Sequence, residues 1–178
     1  MTITSRKTLS ALLAAVCIGS TAALAAPAGA APSCPRTVPS SASKVATARA
    51  LRDSCSQAAF DRLFAGAARG TMPLGVMNGQ TRPVGAPDDA LSSAAAAIWS
   101  GKTFHRGWLT NRTAAGDLVP ADVYVARSTV DNRPVIRIDY RRSGLPFAHD
   151  ELRRLPNGVY LGYGFLGNAR QVDFWVWR

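Results

Sequence analysis

Histidine is almost missing from this chain: His105 and His149 are the only two among 178 residues. With three cysteines, two distant imidazoles are too few ligands for a structural zinc site, so no metal is expected. Lysine is nearly as scarce, since Lys7, Lys44 and Lys102 are three of 21 basic residues and the rest are arginine. That bias fits Arg-favouring, GC-rich bacterial coding better than selection for phosphate recognition. No nucleophile elbow, phosphate loop, dinucleotide fingerprint or paired-carboxylate motif occurs, which gives no ground for expecting a cofactor. The longest apolar run, ALLAAVCIGSTAALAA, is too short and too Ala-rich for a membrane span, so no transmembrane segment is expected in the mature protein.

That run has another use. Arg6 and Lys7 precede it and the small residues of APAGAAPS follow, the pattern of a bacterial export signal over residues 1–30, cleaved near Ala30, with Ala25 as an alternative site. A secreted, extracellular protein is expected, and Val16 before Cys17 argues against a lipid anchor. The remaining cysteines, Cys34 and Cys55, are even in number and bound for an oxidising compartment, which predicts one disulfide. Closing their loop of about 22 residues would stabilise the fold by about 3 kcal/mol. Cleavage leaves about 148 residues, one domain's worth. The 47% apolar and 18% charged composition is that of a globular protein. Its net charge of +10, of which the signal holds two, favours an anionic envelope surface without selecting one.

Residues 31–41 read as a loose Pro/Ser-rich leader, and 42–178 as a single globular domain, helical over 42–100 and mainly β over 101–178. Ser43 caps a helix carrying Val45, Ala48, Leu51 and Arg52. Ser56 caps a second, with Phe60, Leu63, Phe64 and Ala67 on one face and Gly70 as its stop. Asp89 before ALSSAAAAIWSG signals a third, with Leu91, Ala94, Ala95 and Ile98 as its stripe and Gly101 as its stop.

After Gly101 the period becomes two. ADVYVARS sets Val123 and Val125 against Asp122 and Tyr124; PVIRIDYRR sets Ile136, Ile138 and Tyr140 against Arg137, Asp139 and Arg141. Asp131 and Asn132 tolerate positive φ and predict a hairpin between these strands, and Pro156-Asn157-Gly158 predicts another. QVDFWVWR places Val172, Phe174 and Val176 opposite Asp173, Trp175 and Trp177. With KTFHRGWLT, VYLGYGFLG and HDELRRL, about six sequential antiparallel strands result. In the last of these, residues 148–155 fit a strand or a helical stripe equally. The fold class is α+β: two or three helices and a curved antiparallel meander, lipocalin-like, closing to a half or full barrel.

Two short motifs carry a family likeness. WSGKTF, Trp99 to Phe104, is W-x-G-K-x-F, and Gly75-Val76-Met77-Asn78-Gly79 before it is a degenerate G-x-W-x-G with methionine for tryptophan. From about Arg69 to Arg178 the chain resembles the bacterial GXWXG proteins, in which a short strand precedes W-x-G-K-x-F and a C-terminal β-rich domain. The resemblance implies a lipocalin-like curved sheet and no established activity. The export signal and the disulfide-bearing helices depart from that family, so a cytoplasmic role does not carry over.

VYLGYGFLG sets Val159, Leu161, Tyr163 and Phe165 on one face and Tyr160, Gly162, Gly164 and Leu166 on the other. If they face inward, the glycines open space beside Tyr160; if outward, they let the strand coil. Trp99, Trp108, Tyr124, Tyr140 and Tyr163 are candidates to line such a cavity, or are plain core. The expected function is therefore a non-enzymatic binding protein for a small apolar or amphipathic ligand. An alternative is a hydrolase or isomerase acting on an anionic substrate through His105 or His149 with Asp150 or Glu151. A cell-envelope interaction module is the third reading. Arg137, Arg141, Arg142, Arg153 and Arg154 form a possible anion patch or, more simply, a solvated sheet face with cross-strand pairs such as Arg to Glu151. Aromatics do not interleave with them, which argues against a nucleic-acid partner.

Overall fold

Among the described residues two helices and eight strands form, with differences from the predicted punctuation at the front. The computed structural model describes residues 33–85 and 98–178. The segment expected to be an export signal and most of the expected third helix lie outside them. Helix α1 spans Lys44–Asp53 and α2 Gln57–Gly66, and Ser43 and Ser56 cap them by accepting the backbone N–H of Ala46 and Ala59, each at 3.3 Å. Gly70 is not the stop of α2, which ends at Gly66, and Val45 is exposed where a stripe residue would be covered.

The strands are β1 (Gly75–Pro83), β2 (Trp99–Phe104), β3 (Trp108–Thr113), β4 (Gly116–Arg127), β5 (Pro134–Asp139), β6 (Ala148–Arg154), β7 (Tyr160–Leu166) and β8 (Ala169–Trp177). Each pairs antiparallel with its sequence neighbours, and β8 returns to β1, so the sheet is a closed up-and-down barrel. Eight strands replace the expected six. KTFHRGWLT breaks at His105 to Gly107 into parts of β2 and β3, and β1 and the start of β2 lie in the stretch read as helical. Gly101 therefore sits within a strand and ends no helix. Residues 148–154 are strand, which decides the ambiguous segment. Tyr140 to Ser143 form a 3-10 turn instead of extending β5.

The hairpins are where turn chemistry placed them. Asn132 takes φ 59° between β4 and β5, and Asn157 closes the β6–β7 turn by accepting from Val159 N while its amide donates to Thr47 Oγ1 at 2.9 Å. That second bond fixes the turn to α1.

Alternation produces two cores. Inside the barrel lie Phe104, Leu109, Val123, Ile136, Ile138, Leu152, Tyr160, Phe174 and Val176, among others. Outside, Leu161, Tyr163, Phe165 and Trp175 pack under the helices against Leu51, Phe60, Leu63 and Phe64. Burying each such large side chain contributes roughly 1.5–3 kcal/mol, so the helix pair is an integral cover of β6 to β8. The leader joins it: Val38 is buried in the same cluster, and Cys34 is disulfide-bonded to Cys55 with Cα atoms 4.7 Å apart. Residues 33–41 are therefore less loose than composition implied.

Beneath the helices runs a buried polar seam. Arg82 of β1 donates to the carbonyls of Leu51 (3.1 Å) and Cys55 (2.5 Å) and pairs with Asp173 of β8 at 3.4 Å. Asp173 also accepts from Gln57 at 2.8 Å and from Arg170, which reaches on to Asp61 at 2.7 Å. Burial pushes the Asp173 carboxyl up, against the pull of Arg170, Gln57 and Arg82.

Candidate functional site

Four chemistry-bearing side chains come together at one end of the lumen, the end where β1 finishes and β2 begins. Lys102 is inward for the same reason as Phe104, two residues on. Asp150 is inward between Ala148 and Leu152, and Asn111 is inward after Leu109. Tyr140 enters from the 3-10 turn. A bulge aids this, because β4 carries one residue more than β3 between Leu118 and Ala121. It puts Val119 at φ 51° with its carbonyl accepting Asn111 Nδ2 at 3.2 Å.

The Lys102 ammonium donates to Asp150 Oδ2 (2.9 Å), Tyr140 Oη (2.7 Å) and Asn111 Oδ1 (2.8 Å). Tyr140 in turn donates to Asp150 Oδ2 at 2.7 Å, and Trp99 Nε1 donates to Asn111 Oδ1 at 3.0 Å. The rings of Phe174, Trp99 and Tyr140 stand 5.0, 5.4 and 5.5 Å from the ammonium, within cation–π range. Burial pulls the Lys102 ammonium below the usual lysine range, and Asp150 opposes that. Burial and then the Asp150 charge hold the Tyr140 phenol well above the ordinary tyrosine range. At neutral pH Tyr140 is thus a neutral donor.

Beside this cluster is a pocket of about 190 Å³ lined by Thr81, Trp99, Lys102, Tyr140, Asp150, Val172 and Phe174. The two motifs build its wall. The Trp99 indole lies against Gly79, where a Cβ would run into it, and Gly101, at φ 141°, lets β1 and β2 approach where a Cβ would strike Met77 O. Met77 is buried in the lumen.

The predicted residues divide sharply. Trp99, Tyr140, Gly162 and Gly164 do face the lumen, but a Cβ on Gly162 would collide with the Phe174 ring, which fills that gap. Gly164 sits beside Val172 and Asp150 Oδ1, at 2.7 and 3.2 Å from an added Cβ. Tyr160 is inward but closes the opposite end, donating to Thr71 O at 2.8 Å. Trp108 stacks on His105 at 3.9 Å near Arg142, outside the pocket; Tyr124 is 44% exposed and donates to Asp139; Tyr163 lies under α2, stacked on Phe64. None of these three lines the cavity.

The histidine reading finds no catalytic geometry. His105 is exposed on the β2–β3 turn. His149 is outward, stacked on Phe165, with Nε2 3.7 Å from Glu151 and no hydrogen bond. Burial and the Arg137 charge lower its pKa. Glu151 is already occupied by Ser128 Oγ, Thr129 N, Thr129 Oγ1 and Arg137. Asp150 points to the other side of the sheet. The Arg137–Glu151 pair at 3.0 Å is the cross-strand pairing expected of a sheet face. Arg153 pairs with Asp131 at 2.5 Å under α2, so the arginines do not form one anion patch.

Sequence reasoning missed Lys102 and Asn111. The available signal was alternation: a lysine two residues from Phe104 and an asparagine two from Leu109 must share the apolar face. Among the described residues no group of histidine, cysteine, aspartate and glutamate could hold a metal, and no helix is long and apolar enough to cross a membrane. No family model and no curated protein matches the chain. A crystal structure of a protein from Thermomonospora curvata is similar in fold, with a TM-score of 0.52 at 18% identity over 76% of this chain and 95% of that one.

Proposed function

We propose that the protein is an exported, lipocalin-like, non-enzymatic carrier that holds one small amphipathic molecule in the lumen, between Trp99, Val172 and Phe174 and above the Lys102–Tyr140–Asp150 cluster. The observation that carries this reading is a pocket of about 190 Å³ beside a buried charge pair at one end of the barrel. An apolar wall with a few convergent polar groups is the usual build of a small-molecule site. The likeness of WSGKTF to the W-x-G-K-x-F segment of the GXWXG proteins, whose counterparts here, Trp99 and Lys102, line the pocket, and the disulfide support the reading. Size limits the cargo. An engineered cavity of about 150 Å³ accepts benzene, so this lumen suits a single ring or a short branched chain and not a long acyl tail.

The test is protein purified from its source, unfolded in solvent and analysed by mass spectrometry. A stoichiometric compound of about eight non-hydrogen atoms is expected. A lumen that yields nothing, and whose intrinsic tryptophan fluorescence is unmoved by any small aromatic probe, overturns the proposal.

A further inference from the structure

The pocket's hydrogen-bonding capacity can be counted atom by atom, and the count selects a ligand class. An ammonium has three N–H bonds, and those of Lys102 go to Asp150, Tyr140 and Asn111. The Tyr140 hydroxyl has one, which goes to Asp150 Oδ2. The Asn111 amide donates to Val119 O and, at 3.4 Å, to Tyr140 Oη; Trp99 Nε1 donates to Asn111; the Thr81 hydroxyl donates to Asp173 O at 2.9 Å. Every polar hydrogen on the lining side chains is therefore in use. On the acceptor side the position is different. Lys102 and Tyr140 both address Oδ2 of Asp150, while its Oδ1, beside Gly164, accepts no hydrogen bond among the described residues.

We infer that this pocket selects an uncharged ligand that donates a hydrogen bond, an aryl or short-chain hydroxyl compound, whose O–H reaches Asp150 Oδ1 while its apolar body lies between Trp99 and Phe174. The Asp150 side chain is 11% exposed and its Oδ1 opens to the pocket, so a purely apolar occupant that covers this oxygen leaves it without a donor, which is costly, whereas a ligand supplying an O–H does not. Carboxylates and phosphates find no free donor and face Asp150 directly. An organic cation meets the ammonium of Lys102, 2.9 Å from the same carboxylate, so the charge Asp150 would offer it is already compensated. The lumen's preference thus runs opposite to the protein's net charge of +10, which would attract anions to the outside. The inference rests on the carrier reading and specifies its ligand.

The experiment is a calorimetric and thermal-shift comparison of four probes of one shape on the intact wild-type protein: phenol, toluene, benzoate and benzylammonium. Phenol is expected to bind about tenfold or more tightly than toluene, the gap a hydrogen bond to a charged group gives, with the two ions weaker than either. In Asp150→Asn, the amide oxygen takes over the bonds from Lys102 and Tyr140 and its NH2 faces the pocket, so phenol keeps only a neutral hydrogen bond, and its advantage over toluene should shrink several-fold while toluene binding persists. Toluene equal to phenol, or an ion tightest, overturns the donor inference and leaves the carrier reading standing. Binding of none of the four overturns both. Should Asp150→Asn not fold, the ranking on wild-type protein alone decides.

Discussion

Two buried ion pairs sit on opposite faces of the same sheet and differ in what surrounds them. Arg82–Asp173, under the helices, is saturated: the guanidinium reaches Asp173 and two carbonyls, and Asp173 is met by Arg82, Arg170 and Gln57, while Phe60 packs 4.9 Å from the guanidinium. Lys102–Asp150, in the lumen, leaves one carboxylate oxygen without a donor among the described residues and borders a pocket. A closed network joins elements, here α1, the start of α2, β1 and β8. An open one beside empty volume is incomplete until something enters. The residue types agree with this division, because arginine cannot shed its charge in a protein interior and lysine can.

The sharpest way to break the comparison is to remove each carboxylate. Asp173→Ala strands a guanidinium that stays charged, and the expected loss is about 3–5 kcal/mol, read by denaturant unfolding at neutral pH. Asp150→Ala should lose less, because burial already pulls Lys102 down and without its partner it can go neutral. The sign follows from linkage. A lysine whose folded pKa is depressed binds fewer protons folded than unfolded, so stability of this variant rises with pH from the folded value toward the unfolded one near about 10.4. Equal losses, or an Asp150→Ala variant with no gain between neutral and alkaline pH, would mean that the two pairs are equivalent.

The next effect concerns how the saturated side is held. Replacing Cys34 and Cys55 by serine should cost about 3 kcal/mol through the freed loop. Because Cys55 O is also an Arg82 acceptor and Val38 packs into the same cluster, the loss should appear as faster exchange of the α1 and α2 amides while the lumen probe affinity stays unchanged. Lost lumen binding would show that the helical cover and the pocket are coupled.

Gly162→Ala perturbs the other face. Its Cβ would enter the space of the Phe174 ring, so about 1–3 kcal/mol of overpacking is expected. The ring's escape is into the pocket, so probe binding should weaken as well, which titration against phenol would read. Stability lost with affinity intact would place the relaxation in the strand instead.

How much of this was legible depends on where charge sits. PVIRID, QVDFWVWR and VYLGYGFLG alternate cleanly, which sorts their residues into the strands and shared faces found, while alternation alone leaves open which face of VYLGYGFLG turns inward. β1 was not, because Asn78, Gln80 and Arg82 alternate with Met77, Gly79 and Thr81: its covered outer face carries a buried arginine in place of an apolar run. In the lumen the same logic hid the site. Lys102, Asn111 and Asp150 are polar residues on an apolar face, a violation of the binary pattern that marks function or strain and is easily read as surface. The aromatic count misled for the opposite reason. Trp108, Tyr124 and Tyr163 belong to outward positions, and only Trp99 and Tyr140 of the predicted rings line the pocket.

The smallest effect tests whether the saturated region extends to its rim. Arg153, fully buried over the Phe64 ring, donates to both oxygens of Asp131 at the β4–β5 hairpin tip, at 2.5 and 2.8 Å. These bonds from Arg153 lower the Asp131 pKa to about 2. A carboxyl with a depressed folded pKa contributes stability that is present above its unfolded value and is lost as pH falls through the folded one. Asp131→Asn should therefore be less stable than wild type by at most about 1 kcal/mol at pH 7, since Asp131 is partly exposed and screened. That gap should close between about pH 4 and pH 2 as wild type protonates. A gap that persists unchanged to pH 2 would assign the loss to the hairpin's shape, with the Arg153 contact serving geometry and carrying no charge-dependent share.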